Sequence, residues 1–153
     1  SFDLNLRVDN GALDPEYEKA VREVIRYTTY LLGSGNDEFK YLGEGRDWRE
    51  NAKALVTDAR CVIVRNGKEG SYSFSCEGEE YVPAFTVKVE DTVGAGDVYN
   101  AGFISGRLAG KSMRDCLVLG NAVSGYTVMR KGARNSPDTE ELEAFLREHQ
   151  TER

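Results

Sequence analysis

Cysteine and histidine are scarce: Cys61, Cys76, Cys116 and His149 are the only ones in 153 residues. The cysteines are odd in number, widely spaced and without a CxxC pair. That argues against a disulfide framework, and against a metal site built from them and His149. They read as reduced core or edge thiols of a cytoplasmic protein. An excess of positive charge is also missing. The net charge of −6 argues against a nucleic-acid or anionic-membrane surface. It does not exclude a phosphate ligand, which local N–H groups can bind in an acidic protein. No apolar run approaches transmembrane length, and no signal peptide precedes the first expected strand. Internal repeats and low-complexity segments are lacking too. What is present is a 40% hydrophobic share and 16 glycines, the make-up of a folded α/β protein of one domain's length.

Phe2, Leu4, Leu6 and Val8 alternate with Asp3, Asn5 and Arg7. Period two predicts a strand with one apolar and one polar face. The polar row either meets solvent at a sheet edge or points into a cleft. Asp14-Pro15-Glu16 is a cap, a first-turn proline and a first-turn acid. It predicts a helix burying Val21, Val24 and Ile25, with Thr28 continuing the stripe. Leu31-Leu32-Gly33 reads as a short strand, and Ser34 to Glu38 as a loop leading to a helical piece ending at Leu42. A second helix is expected over 47–59 with Trp48 half-buried. Cys61 to Val64 suits a buried parallel strand. Asn66-Gly67 signals a tight hairpin, with Ser71 to Cys76 returning. Residues 77–80 make a further turn before a short strand at Tyr81-Val82.

The richest stretch is Asp91-Thr92-Val93-Gly94-Ala95-Gly96-Asp97. It follows a strand-like segment, Phe85 to Val89, and opens a helix-like one, Val98 to Leu108. Such a turn can aim several backbone N–H groups at one spot, where the helix dipole also favours negative charge. Asp97 beside an anion site makes sense if its carboxylate takes a proton from a hydroxyl attacking a phosphate. Ala101, Gly102 and Ser105 give that helix a face of small side chains for close approach to the sheet. Ser112 to Asp115 resembles a capping box and starts a long helix to about Arg130. Gly120, Ala122, Ser124 and Gly125 make one stretch of small side chains within it, and its two glycines are costly unless something flat fits against it. An adenine ring and a neighbouring helix are equal readings. Lys131-Gly132-Ala133 ends the helix. Ser136-Pro137 begins the last one, docked by Leu142, Phe145 and Leu146.

The Asp-Thr-x-Gly-Ala-Gly-Asp run resembles the C-terminal signature of the PfkB (ribokinase-like) carbohydrate kinases. Ser1 to Arg7 resembles that family's Phe-Asp-x-Asn-x-Arg strand. Val62 to Gly70 resembles its strand and Gly-x-x-Gly loop, and Asn121 to Arg134 its late helix ending in Arg-Lys-Gly-Ala. The resemblance implies an α/β, three-layer sandwich with a mainly parallel central sheet. Residues 1–153 would be the C-terminal part of a single kinase domain, its nucleotide-binding and catalytic-base half, without the lid and the N-terminal part. A start at Ser1 directly in a strand, with no initiator Met, is read the same way.

The implied activity is ATP-dependent phosphorylation of a sugar or sugar-acid hydroxyl. Asp97 would be the general base, and the Gly94, Ala95, Gly96 and Asp97 amides the anion hole. Arg65, Gly67, Gly70, Asn121 and Gly125 would meet the nucleotide. Asn5, Arg7 and Asp91 would meet substrate or phosphate. Mg²⁺ would bridge ATP phosphates, through water and the Asp37/Glu38 region. Some members hold a monovalent cation near the carbonyls matching Asp91 and Thr92. A homodimer of the full-length enzyme is compatible with the family. One departure stands out: the family's Asn-x-x-Glu is Ser34 and Asp37 here, with Glu38 adjacent. The pattern Leu-x-Ser-x-x-Asp-Glu resembles kinases of 2-keto-3-deoxygluconate. The competing readings are a non-catalytic nucleotide-binding fragment or degenerate relative, and a flavodoxin-like domain whose Gly-Ala-Gly-Asp is only a helix cap.

Overall fold

Three parallel strands organise the first half of the chain. β1 (Phe2–Asp3) pairs with β2 (Tyr30–Ser34), and β2 with β3 (Cys61–Arg65), in the register Leu31↔Val62 and Leu32↔Ile63. β4 (Ser71–Ser75) and β5 (Gly78–Val82) complete a sheet of order β1-β2-β3-β4-β5. The links between β3, β4 and β5 are too short for parallel crossovers, so a hairpin edge follows a parallel core, as the sequence predicts. This computed structural model describes residues 1–149. The chain divides into two compact units: Ser1–Asn66 with Tyr72–Glu80, and Gly67–Ser71 with the chain from Tyr81 onward.

In the first unit α1 (Pro15–Ile25) starts where the sequence places it. Asp14 caps it by accepting the Tyr17 N–H at 2.9 Å. Val21 and Ile25 pack with Leu31, Val62 and Val64 in one core, joined by Ala52 of α2 (Trp48–Ala54). Val24, expected in that stripe, is exposed. Leu32 and Ile63 on the opposite sheet face are also buried, which explains the unbroken apolar run of β3. α2 ends five residues before the expected Ala59. There the main chain folds into a tight Thr57–Arg60 turn, and the Arg60 guanidinium donates to the Leu55 carbonyl at 2.8 Å.

β1 is much shorter than the expected 2–8 strand. Leu4 N–H still reaches the Leu32 carbonyl at 2.9 Å, but Asn5 takes a left-handed φ of 40° and breaks the ladder. The alternation survives in burial, with Leu4 and Leu6 inside and Asn5 and Arg7 exposed. β5 begins at Gly78, inside the stretch expected as a turn, because Cys76-Glu77 alone closes the β4–β5 link.

In the second unit α3 (Ala95–Leu108) runs against α4 (Met113–Val128), and α5 (Thr139–His149) packs on α4. The small face of α3 meets α4 at Gly102. A Cβ on Gly102 would sit 2.8 Å from the Leu119 carbonyl oxygen, while Ala101 and Ser105 are exposed. Ser112 caps α4 by accepting the Asp115 N–H at 3.1 Å and donating its hydroxyl to that carboxylate at 2.7 Å. α5 starts later than Ser136-Pro137, at a reciprocal capping box between Asp138 and Glu141. Phe85, Ala122, Tyr126 and Phe145 form its core. Burial pushes the Cys116 thiol up, which keeps it protonated and unreactive.

Candidate functional site

Phe85 to Val89 forms no strand. Its alternation is real, with Phe85 buried and Val87 half-buried, but the segment has no ladder. It lies along α4, and the Glu90 and Asp91 N–H groups both donate to the Val128 carbonyl, at 2.8 and 3.2 Å. The signature follows. Gly94 adopts φ 78°, ψ 0° as the N-cap of α3, a conformation that favours glycine. The helix starts at Ala95, three residues earlier than the sequence pattern suggested, so Gly96 and Asp97 lie in its first turn. The Ala95 N–H closes the turn onto the Thr92 carbonyl at 3.2 Å. Gly94, Ala95 and Gly96 are half-exposed and Asp97 is exposed, so the helix mouth is open to a ligand. The Asp97 carboxylate makes no hydrogen bond or ion pair with a described residue.

Beside this mouth lies a cavity of about 430 Å³. Thr92 and Ala95 line it at the α3 end, Asn121, Ser124, Gly125 and Val128 along α4, and Gly67 and Lys68 on another side. Phe85 and Val87 add apolar wall. The cavity therefore gathers three residues predicted for nucleotide (Gly67, Asn121, Gly125) with the helix end predicted for phosphate. Asn121 is fixed there, its amide nitrogen donating to the Val82 and Pro83 carbonyls at 3.1 Å each. Its side-chain oxygen stays an acceptor. Lys68 was missed by sequence reasoning, whereas Ser124 belongs to the stretch read as facing an adenine ring or a neighbouring helix. The signal for Lys68 was a cation inside the Gly-x-x-Gly loop.

The two glycines of α4 part company. A Cβ on Gly120 would lie 2.7 Å from the ring of Tyr99, so the flat object against it is a side chain of α3. A Cβ on Gly125 would meet Phe145 and Phe85 at an ordinary 3.4 and 3.6 Å. Gly70 is structural as well: at φ 109°, a Cβ would collide with the Val82 carbonyl oxygen.

Asp91 was predicted to meet substrate or phosphate. Its carboxylate accepts the Val93 N–H at 3.0 Å and the Gly132 N–H at 2.9 Å. Those two bonds, the Val93 one first, hold its pKa below the ordinary carboxylate value.

The remaining predicted residues belong to the first unit. Glu38 is buried: one carboxylate oxygen accepts the Leu6 N–H at 2.7 Å, the other the Ser34 N–H at 2.6 Å. Arg65 reaches Glu38 at 3.4 Å and Asp3 at 2.7 Å. Asp37, Asn5 and Arg7 are exposed. Among the described residues no group of three or more His, Cys, Asp or Glu could hold a metal ion. No described helix is long and apolar enough to cross a membrane.

An α/β chain with an open helix mouth beside a cavity of this size suits a protein that binds a phosphate-bearing small ligand. The chain belongs to the pfkB family of carbohydrate kinases, whose family model matches residues 2–140. It is similar to 5-dehydro-2-deoxygluconokinase of Bacillus subtilis (strain 168), 36% identical over 151 residues, covering 95% of this chain and 46% of that one. It is also similar to an uncharacterized sugar kinase, YegV, of Escherichia coli (strain K12), 38% identical over 98 residues, covering 64% of this chain and 29% of that one. The fold is ribokinase-like, as the resemblance implied. A solved structure of a putative ribokinase II from E. coli, in complex with ATP and Mg²⁺, gives a TM-score of 0.86 at 26% identity, covering 97% of this chain and 48% of that one. The chain thus spans about half the length of such relatives, or less.

Proposed function

We propose that this chain carries the nucleotide cleft and the catalytic base of an ATP-dependent kinase acting on a hydroxyl of a sugar or sugar acid. Residues 1–153 would be the C-terminal, nucleotide-binding half of that kinase domain. The observation that carries this reading is the cavity running from Thr92 and Ala95 at the α3 mouth to Asn121 and Gly125 on α4. Its volume falls within the range of small-ligand pockets. Adenine would rest against Gly125 and Val128, offering its amino group to the Asn121 oxygen. The phosphates would extend to the helix mouth, where the Gly94 and Asp97 amides and the helix dipole face developing charge, the Ala95 N–H being spent on the Thr92 carbonyl. Asp97, exposed at that mouth, would accept the proton of the attacking hydroxyl.

Mg²⁺ would neutralise charge on the transferring phosphates. Asp37, with its exposed carboxylate, is better suited than Glu38 to hold the ion's water shell. A monovalent cation at the Asp91–Thr92 carbonyls fits the donor chemistry, since the Ala95 N–H leaves the Thr92 oxygen a second lone pair. Arg7 and Asn5 are assigned to the substrate. The acceptor class is a keto-deoxy sugar acid: the Leu-x-Ser-x-x-Asp-Glu pattern points there, and the B. subtilis relative is named for such a substrate. A cytoplasmic setting agrees with an ATP substrate and three free thiols.

The test is titration of Mg-ATP, then assay of ADP release against a panel of sugars and sugar acids, on the full-length protein. Asp97→Asn should keep ATP affinity and cut kcat by about 10²–10⁴. Near-normal turnover in that variant would remove Asp97 from the reaction. ATP binding without transfer to any acceptor would favour a non-catalytic nucleotide-binding relative.

A further inference from the structure

Phe85 and Gly125 both line the cavity, and one ring stands behind the two of them. A Cβ on Gly125 would meet the Phe145 ring at 3.4 Å, so where α4 has no side chain the aromatic ring of α5 takes up the space. The same ring meets Phe85 edge-on, with centroids 5.2 Å apart. Phe85 therefore has one side toward the cavity and another that leans on Phe145. Phe145 is only 4% exposed, and its neighbours hold it in place. Tyr126 lies edge-on to it at 6.1 Å. The His149 ring covers it at 4.1 Å, with Nδ1 2.9 Å from the Phe145 carbonyl oxygen. One turn earlier in α5, the Glu141 carboxylate accepts the Tyr126 hydroxyl and ties α5 to α4. A ring packed from this many sides cannot give way without cost, because interiors are close-packed.

We propose that Phe145 is a positioning residue that limits the size of base the cavity admits: through Phe85 and the bare Gly125 main chain it sets the depth of the apolar wall, and it touches no ligand itself. This rests on the nucleotide reading above. With the ring cut back, Phe85 can retreat into the vacated space, since the surroundings of a shortened core side chain close the gap only in part.

The test measures binding of adenosine, N6-benzyladenosine and 2-phenyladenosine, whose added rings leave different edges of the base. The full-length protein is compared as wild type, Phe145→Leu and Phe145→Ala, with urea unfolding alongside. Leu keeps the core apolar and largely filled in case the Ala variant does not fold. Wild type should bind both analogues about 10-fold more weakly than adenosine, the scale of overpacking in a filled site. In the folded variants that preference should disappear for at least one analogue, while adenosine affinity holds. An unchanged preference would overturn the proposal, as would a wild type that accepts both analogues like adenosine. Parallel loss of adenosine and analogues, or loss of folding in both variants, would mean a merely structural ring and overturn it too. Wild-type protein that binds neither adenosine nor ATP would instead remove the nucleotide reading itself, and this proposal with it.

Discussion

Glu38 in the first unit and Asp97 in the second are both acids that the sequence marks for phosphate chemistry, and they are held differently. Glu38 is buried, with the Leu6 and Ser34 amides and Arg65 around it. Asp97 is exposed and makes no hydrogen bond or ion pair with a described residue. The contrast extends to their neighbours. Arg65, expected at the nucleotide, is drawn into the Glu38 and Asp3 network, with a side chain only 12% exposed. Gly67, Asn121 and Gly125 line an open cavity. A family motif therefore mixes groups that build the site's frame with groups left available for a ligand. Burial and donor count separate them where residue type does not.

The largest effect should come from breaking the first unit's network. Glu38→Ala removes an ionised partner from Arg65 and leaves two amides, at Leu6 and Ser34, without their acceptor. Arg65 keeps Asp3, so the cost lies chiefly in the two amides, about 1–3 kcal/mol for each buried donor left without an acceptor. Urea unfolding should show a loss of that order, whereas Asp97→Asn should leave the unfolding midpoint in place. A Glu38→Ala protein with wild-type stability but an altered Mg²⁺ requirement would reverse the comparison and place Glu38 in the chemistry.

Much of the frame was legible because its signals are local. Asp14 and Ser112 start helices through side-chain bonds that reach only three residues. Cys61 to Val64 is apolar without interruption because both sheet faces are buried there. What escaped depends on distant partners. Phe85 to Val89 has the alternation of a strand, but a strand also requires a neighbour to pair with, and no local pattern supplies one. The framing role of Glu38 hangs on an amide 32 residues away, and the Asp91 carboxylate reaches one 41 residues away. At the site, the Gly-Ala-Gly-Asp turn and its helix were readable as an anion-binding mouth. The cavity wall at Lys68 was not, since it fills a variable position of the Gly-x-x-Gly loop and only the fold brings it to the cavity.

A smaller effect separates the two glycines of α4. Gly120→Ala drives a methyl into the buried Tyr99 ring, 2.7 Å away. Overpacking of this kind costs about 1–3 kcal/mol, only partly offset by the better helix propensity of alanine, about 1 kcal/mol. Gly125→Ala meets ordinary contact distances and should keep most of the propensity gain. The urea midpoint should fall for the first and hold or rise for the second. Equal destabilisation would mean that Gly125 is also required for packing, not left open for a ligand.

The smallest expected change tests whether the cavity's charge matters. Lys68 is an exposed cation on its wall. If phosphate lies within its reach, Lys68→Met should weaken ATP binding by about 5-fold, close to 1 kcal/mol, the scale of an exposed ion pair. Adenosine, which carries no charge, should bind both proteins alike. Raising the salt concentration should shrink the ATP difference, because an exposed charge interaction is screened. An equal loss for adenosine would place Lys68 beside the base. The second unit would then distinguish its ligand by shape at that wall, and the helix mouth would be left as the main source of attraction for phosphate.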